Sequence, residues 1–182
     1  IRAGYGNTPI LHGIDLQLGA GQSVCLIGPN GAGKSTVLNA IYGFASIYGG
    51  TVSVGGQDAS RVSQSAKLKE LGIAYLLQGN SVFPDMTVEQ NLELGGYLKG
   101  RSALARAAAH RIFDIYPRLA ARRRQPARML SGGERRLLEI ARALVMDPRI
   151  LLVDEPSIGL EPRYIEMIFE VLHELQHRQG VS

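Results

Sequence analysis

Tryptophan is absent from this chain of 182 residues, and cysteine occurs once. No apolar stretch is long enough to cross a bilayer. The longest uninterrupted aliphatic runs, residues 24–27 and 150–153, fall far short of the ~18 residues a spanning helix needs. One cysteine, Cys25, excludes an intrachain disulfide framework and fits a reducing cytosol. An excess of one charge is scarce too. The 20 Lys and Arg face 16 Asp and Glu, a net +4, which reads as a mildly basic solvated surface and predicts no nucleic-acid partner. With 45% hydrophobic and 20% charged residues, the composition excludes bulk disorder. Ile1-Arg2-Ala3-Gly4 has neither the apolar core nor the cleavage site of a secretory signal. No initiator Met opens the chain, so its true start is expected upstream. The length suits one domain or part of a larger one.

What is present is an alternation of strand-like and helix-like segments. Residues 10–18 alternate, with Ile10, His12, Ile14, Leu16 and Leu18 on one expected apolar face of a strand. Residues 23–27 read as a short buried strand, with Cys25 a packing residue inside it. They run into a glycine-rich stretch, after which a helix is expected over 34–43 on Val37, Leu38 and Ile41. Gly49-Gly50 and Gly55-Gly56 bracket a hairpin strand at 51–54. A polar segment, 61–70, precedes a second apolar strand at 73–77. Helix-period patterns at 88–94 and 103–116 mark a helical subdomain of about 86–133, inserted in one domain of 1–182. A helix over 132–146, a strand at 150–153 and a last helix on Ile165, Ile168, Leu172 and Leu175 return to the core. The fold class is α/β, a mainly parallel sheet with helices on its faces and an antiparallel β part near the N-terminus.

Gly28, Pro29, Asn30, Gly31, Ala32, Gly33, Lys34 and Ser35 match G-x-x-x-x-G-K-[ST] without a gap. Glycines let the backbone bend around an anion and turn successive N–H groups inward, and the following helix offers its positive end. Lys34 reaches the β- and γ-phosphates, and the Ser35 hydroxyl ligates Mg²⁺. The other half of such a site is an apolar strand ending in a carboxylate. Ile150-Leu151-Leu152-Val153-Asp154-Glu155 supplies it. Asp154 is expected to hold the metal through its water shell, and Glu155 to polarise the attacking water.

Leu130-Ser131-Gly132-Gly133-Glu134 adds a third element, a cap-like turn opening a helix. Together with Gly28 to Thr36, Gln78 and Asp154-Glu155, in this order, it makes the whole chain resemble the nucleotide-binding domain of ABC transporters, a P-loop NTPase with a RecA-like core. The resemblance implies binding and hydrolysis of ATP with Mg²⁺. It implies that Ser131, Gly132, Gly133 and Glu134 cap ATP held by a second ATP-binding subunit. It places Tyr5 against adenine, and Gln78 where it senses Mg²⁺ and the attacking water. Residues 157–161 fall at the dimer contact, where Glu161 replaces the commoner aspartate. The implied partners are membrane permease subunits and, for an importer, a substrate-binding protein; the implied place is peripheral, on the cytoplasmic face of the inner membrane.

Residues 82–92, 116–119 and 157–162 look like the ATPases of importers of branched-chain amino acids and amides such as urea. Those frequently carry glutamate where this chain has Gln78. Residues 131–144 also resemble lipopolysaccharide-export ATPases, and a soluble relative acting on nucleic acid or ribosomes is a further alternative. The family pattern continues past Ser182 into a strand and a switch loop, so 182 residues are expected to be most of one domain, trimmed at both ends. Arg118, Arg122, Arg123, Arg124 and Arg128 lack the interleaved aromatics of a nucleic-acid platform and read as a solvated helix-loop. His173 and His177, four apart on a helix, lack a third metal ligand.

Overall fold

Short antiparallel strands begin the chain. β1 (Arg2–Tyr5) and β2 (Thr8–His12) fold back across Gly6 and Asn7, and β3 (Ser46–Gly49) pairs antiparallel with the other edge of β1. The computed structural model describes residues 1–77, 79 and 81–182. The register between β1 and β2 slips at Ala3/Gly4. A Cβ on Gly4 would stand 2.0 Å from the Thr8 carbonyl oxygen, so the bulge requires glycine. The alternation in 10–18 placed Ile10 and His12 inside; instead Leu11 is buried, and both of those residues are exposed. Leu11 packs with Ala3, Val37, Ala40 and Ala45, so the helix behind the sheet decides which parity faces the core. The strand also ends at His12.

That helix, α1 (Lys34–Tyr42), runs from Gly33 to Gly43, both left-handed. Its C-terminal end is covered by α2 (Gln64–Lys69), a helix in what the sequence presented only as a polar segment. Gln64 Nε2 donates to the Gly43 carbonyl and Lys67 Nζ to the Ile41 carbonyl, each at 2.7 Å. A cation at the negative end of a helix is favourable. It also accounts for a fully buried lysine, whose burial pulls its pKa below the ordinary value. Between the helices lies a small hairpin, β4 (Ser53–Val54) with β5 (Gln57–Asp58), turning on Gly55 and Gly56 at positive φ.

The centre is a parallel pair, β6 (Ile73–Leu76) with β7 (Ile150–Val153), matched residue for residue from Ile73↔Ile150 to Leu76↔Val153. Residues 23–27 do not join it as the expected buried strand. Val24 is 47% and Ile27 92% exposed, and Cys25 is exposed rather than packed. Ser182 lies along β7, its carbonyl accepting from Leu151 N at 2.8 Å and its N–H donating to the Arg149 carbonyl at 2.9 Å. Gly21 N and Ser23 Oγ meet Ser182 Oγ and Gln176 Oε1 instead of strand backbone. Without a ladder partner, apolar character alone does not bury a segment.

Among the described residues, five further α-helices follow: α3 (Val88–Gly95), α4 (Ser102–Ile115), α5 (Pro117–Ala120), α6 (Gly132–Leu144) and α7 (Pro162–Gln179). All share one apolar core, built from Val88, Leu92, Ile112, Leu119, Leu138, Ile140 and Ile168. Of the five arginines at 118–128, Arg123 pairs with Glu89, Arg128 with Asp85 and Arg122 with Glu134. Fully buried Asn91 ties the entry to α3. Its Oδ1 accepts from Phe83 N at 2.8 Å, and its Nδ2 faces the carbonyls of Phe83, Met86 and Thr87. Replacing Asn91 by Ala strands these groups away from water, and the expected loss is about 2–4 kcal/mol in denaturant unfolding. A change below about 0.5 kcal/mol would deny Asn91 this role.

Candidate active site

The glycine-rich loop turns at residues 29–32, with Ala32 N donating to the Pro29 carbonyl at 3.2 Å. Gly31 and Gly33 have φ of 81° and 90°, conformations that suit glycine. Gly33 is also the N-cap of α1, so the helix begins on the loop itself and brings its unpaired N–H groups there. Gly28, Pro29, Asn30, Gly31 and Ala32 are exposed along the outer arc, Gly33, Lys34 and Ser35 are half-buried, and Thr36 is buried. Lys34 Nζ lies within this arc, donating to the Gly28 and Pro29 carbonyls at 2.8 and 2.9 Å. Its flexible stem carries a point charge suited to a phosphate.

Ser35 faces the strand-end carboxylate. Its Oγ donates to Asp154 Oδ1 at 3.0 Å, joining residues 119 positions apart. Asp154 is buried, and its N–H bonds the Leu76 carbonyl at 3.0 Å, continuing the parallel pairing past the end of β7. A hydroxyl beside a carboxylate is a hard oxygen pair that fits Mg²⁺, which completes its shell with water and phosphate oxygens. Among the described residues no three His, Cys, Asp or Glu side chains gather as a cage. His173 and His177 stack on each other, centroids 4.1 Å apart.

Glu155 sits directly after Asp154 with φ 45°. A left-handed glutamate carries strain of roughly 1–3 kcal/mol, which surrounding contacts must outweigh. Gln78 lies outside the described residues. Tyr5 is 44% exposed at the end of β1. Its hydroxyl accepts from Asn39 Nδ2 at 2.7 Å, and Asn39 Oδ1 accepts from the Tyr75 hydroxyl at 3.0 Å. Burial, followed by the neighbouring Asp154 carboxylate and by Tyr5, holds the Tyr75 phenol well above its ordinary pKa, so it stays a donor.

Ser131, Gly132, Gly133 and Glu134 form the head of α6, a reciprocal cap in which Ser131 Oγ accepts from Glu134 N at 3.2 Å and Glu134 Oε2 from Ser131 N at 2.9 Å. The Ser131 hydroxyl accepts in this bond and keeps its proton for another acceptor. Gly133 is buried under the Tyr164 ring.

Four residues near the site were not singled out from the sequence: Asn39, Tyr75, Arg136 and Glu139. Asn39 lies in a helix pattern and Tyr75 in a strand pattern, each defined by its apolar positions. The signal for the last two was a pair of opposite charges three apart, flanked by Leu137, Leu138, Ile140 and Ala141. That places both charges in an otherwise apolar helix.

Known proteins resemble this chain over most of its length. The family model described as ABC transporter matches residues 11–158. The high-affinity branched-chain amino acid transport ATP-binding protein BraG of Pseudomonas aeruginosa is 37% identical over 178 residues, covering 98% of this chain and 75% of that protein. A probable branched-chain amino acid transport ATP-binding protein, LivF of Archaeoglobus fulgidus, is 36% identical, covering 97% and 74%. Among solved structures, a dimeric ATP-binding cassette in a post-hydrolysis state with ADP and Pi aligns with a TM-score of 0.80 at 25% identity, over 99% of this chain and 84% of that one.

The head of α6 gives a direct packing test. A Cβ on Gly133 would stand 2.0 Å from Tyr164 Cδ1, so Gly133→Ala should lower stability by about 1–3 kcal/mol. Adding Tyr164→Ala should cancel most of that increment. Strictly additive losses in the double variant would show that the ring is not what excludes a side chain.

Proposed function

The chain belongs to the ABC transporter family and is an ATPase subunit of it, and from that footing we propose that it energises import of branched-chain amino acids or related amides. The observation that carries the site reading is the 3.0 Å bond between Ser35 Oγ and Asp154 Oδ1. It joins the phosphate loop to the strand-end carboxylate. For the cargo, the support is the similarity to BraG and LivF, whose names specify branched-chain amino acid transport.

In this reading the Tyr5 ring stacks on adenine. The N–H groups from Gly28 to Thr36 and the Lys34 ammonium hold the phosphates. Ser35 and Asp154 would hold Mg²⁺, Asp154 through its water shell, and the family role of Gln78 would be to sense the metal and the attacking water. Bound Mg²⁺ neutralises charge on the phosphoryl oxygens during transfer. Glu155 orients the water and accepts its proton. A second ATP-binding subunit supplies Ser131, Gly132, Gly133 and Glu134, with the Ser131 hydroxyl and the amides of α6 donating to the γ-phosphate. Each site then needs two chains, and isolated monomers hydrolyse poorly. The subunit docks peripherally beneath permease subunits on the cytoplasmic face of the inner membrane, and a substrate-binding protein delivers the cargo. No helix among the described residues is long and apolar enough to cross a membrane.

Glu155→Gln in the full-length chain should keep ATP binding, stabilise the ATP-bound dimer, and slow turnover by roughly 100- to 10,000-fold. Unchanged steady-state turnover would reject Glu155 as the base. For the cargo, cells carrying Lys34→Ala in the chromosomal gene should lose uptake of radiolabelled leucine. Wild-type uptake of leucine, isoleucine and valine would overturn the assignment of cargo, whatever the ATPase does.

A further inference from the structure

About one turn into α6, one side chain reaches several backbone groups of two other segments. Arg136 and Glu139 form an ion pair at 2.6 Å, with only 8% and 3% of their side chains exposed. The guanidinium serves more than this partner. Nε reaches the Pro156 carbonyl at 3.3 Å, and Nη2 reaches the carbonyls of Asp154 and Glu155 at 3.3 and 3.5 Å. Nη1 reaches the Leu77 carbonyl at 3.4 Å. The other oxygen of the pair, Glu139 Oε1, accepts from Ser81 N at 2.7 Å. One buried pair therefore grips both chain segments that leave the C-terminal ends of β6 and β7.

The grip is shaped to its load. Three successive carbonyls, 154 to 156, turn toward one point, and the residue between them is the left-handed Glu155. Converging carbonyl dipoles repel one another unless a cation sits at their focus. A planar guanidinium with several fixed donors meets such a fan in a way that a lysine's ammonium does not. Burial makes the arrangement demanding. An arginine with its carboxylate removed would be an uncompensated interior charge.

We infer that Arg136, braced by Glu139, is a positioning residue for hydrolysis. It holds Glu155 in its left-handed turn and, with Glu139, fixes that turn relative to Leu77 and Ser81. This rests on the reading of Glu155 as the base. Because Arg136 rides on the helix whose first residues serve the partner's nucleotide, displacement of α6 reaches this chain's own hydrolytic loop through the same guanidinium.

The test uses the full-length chain assembled with its permease. ATPase rates and thermal unfolding are compared for Arg136→Lys, Glu139→Gln and the apolar double variant Arg136→Met/Glu139→Met. For a positioning role, Arg136→Lys lowers kcat by roughly 10- to 100-fold with KM for ATP within about threefold of wild type. The double variant removes both charges together, so it should unfold near the wild-type temperature and still turn over slowly. Recovery of stability and kcat together in the double variant would overturn the proposal and leave the pair a packing element. Combining Arg136→Lys with Glu155→Gln separates the two readings. If Arg136 acts through Glu155, residual turnover of the double variant matches that of Glu155→Gln alone. Fully additive losses overturn the positioning role while leaving the base assignment intact; wild-type turnover in Glu155→Gln fails the base assignment itself.

Discussion

The constraint from which the site follows is the parallel, in-register pairing of β6 and β7. Matching Leu76 with Val153 makes the two strands end side by side, and Asp154 N extends the ladder by one bond to the Leu76 carbonyl. In an open α/β sheet, ligands bind beyond the carboxyl ends of the strands. Tyr75, one residue from the end of β6, then lies beside Asp154 and close enough to shift its own ionisation. A slip of one residue would carry Leu76 and Val153 to opposite faces, and Asp154 would no longer meet Ser35.

Around that pair, the buried polar groups are anchored to backbone in a repeated way. Lys67 meets the end of α1, Asn91 the start of α3, and Arg136 with Glu139 the exits of β6 and β7. In each case a side chain from a helix satisfies backbone groups where a regular element stops, which is where such groups run short of partners. These contacts are costly if half-made. They bind the ends of elements into one fixed geometry, which apolar packing alone tolerates shifting.

How much of this was legible depends on how local the cause is. The phosphate loop, the apolar strand ending in Asp154-Glu155 and the cap at Ser131 are contiguous patterns whose physics acts within a few residues. The helices over 88–95 and 102–115 were equally readable from their period. What failed to show depends on neighbours. Leu11 rather than Ile10 faces inward because α1 packs there. Residues 23–27 carry a strand's composition, yet Val24, Cys25 and Ile27 are exposed and Ser23 bonds Gln176 of α7. The helix at Gln64–Lys69 was hidden by polar residues, because its role is to present Gln64 and Lys67 to another helix. In the site, Lys34, Ser35 and Asp154 were named from motif alone, whereas Asn39 and Tyr75 became visible only when three distant segments came together.

Strain and charge converge on the residue after Asp154. A glutamate at φ 45° holds that backbone only if something nearby outweighs the cost, and the carbonyls on either side of it point to what does. They end on the Arg136 guanidinium, which α6 carries. The helix thus has two duties at its two levels. Its first turn carries the reciprocal Ser131–Glu134 cap, and its second turn meets the carbonyls of a strained loop within the same chain. A rigid helix cannot move one without the other. If the outward face engages a neighbouring nucleotide, the geometry of the inward face changes in step. In the proposed dimer, a single element of secondary structure would then tie hydrolysis at one site to occupancy of the other.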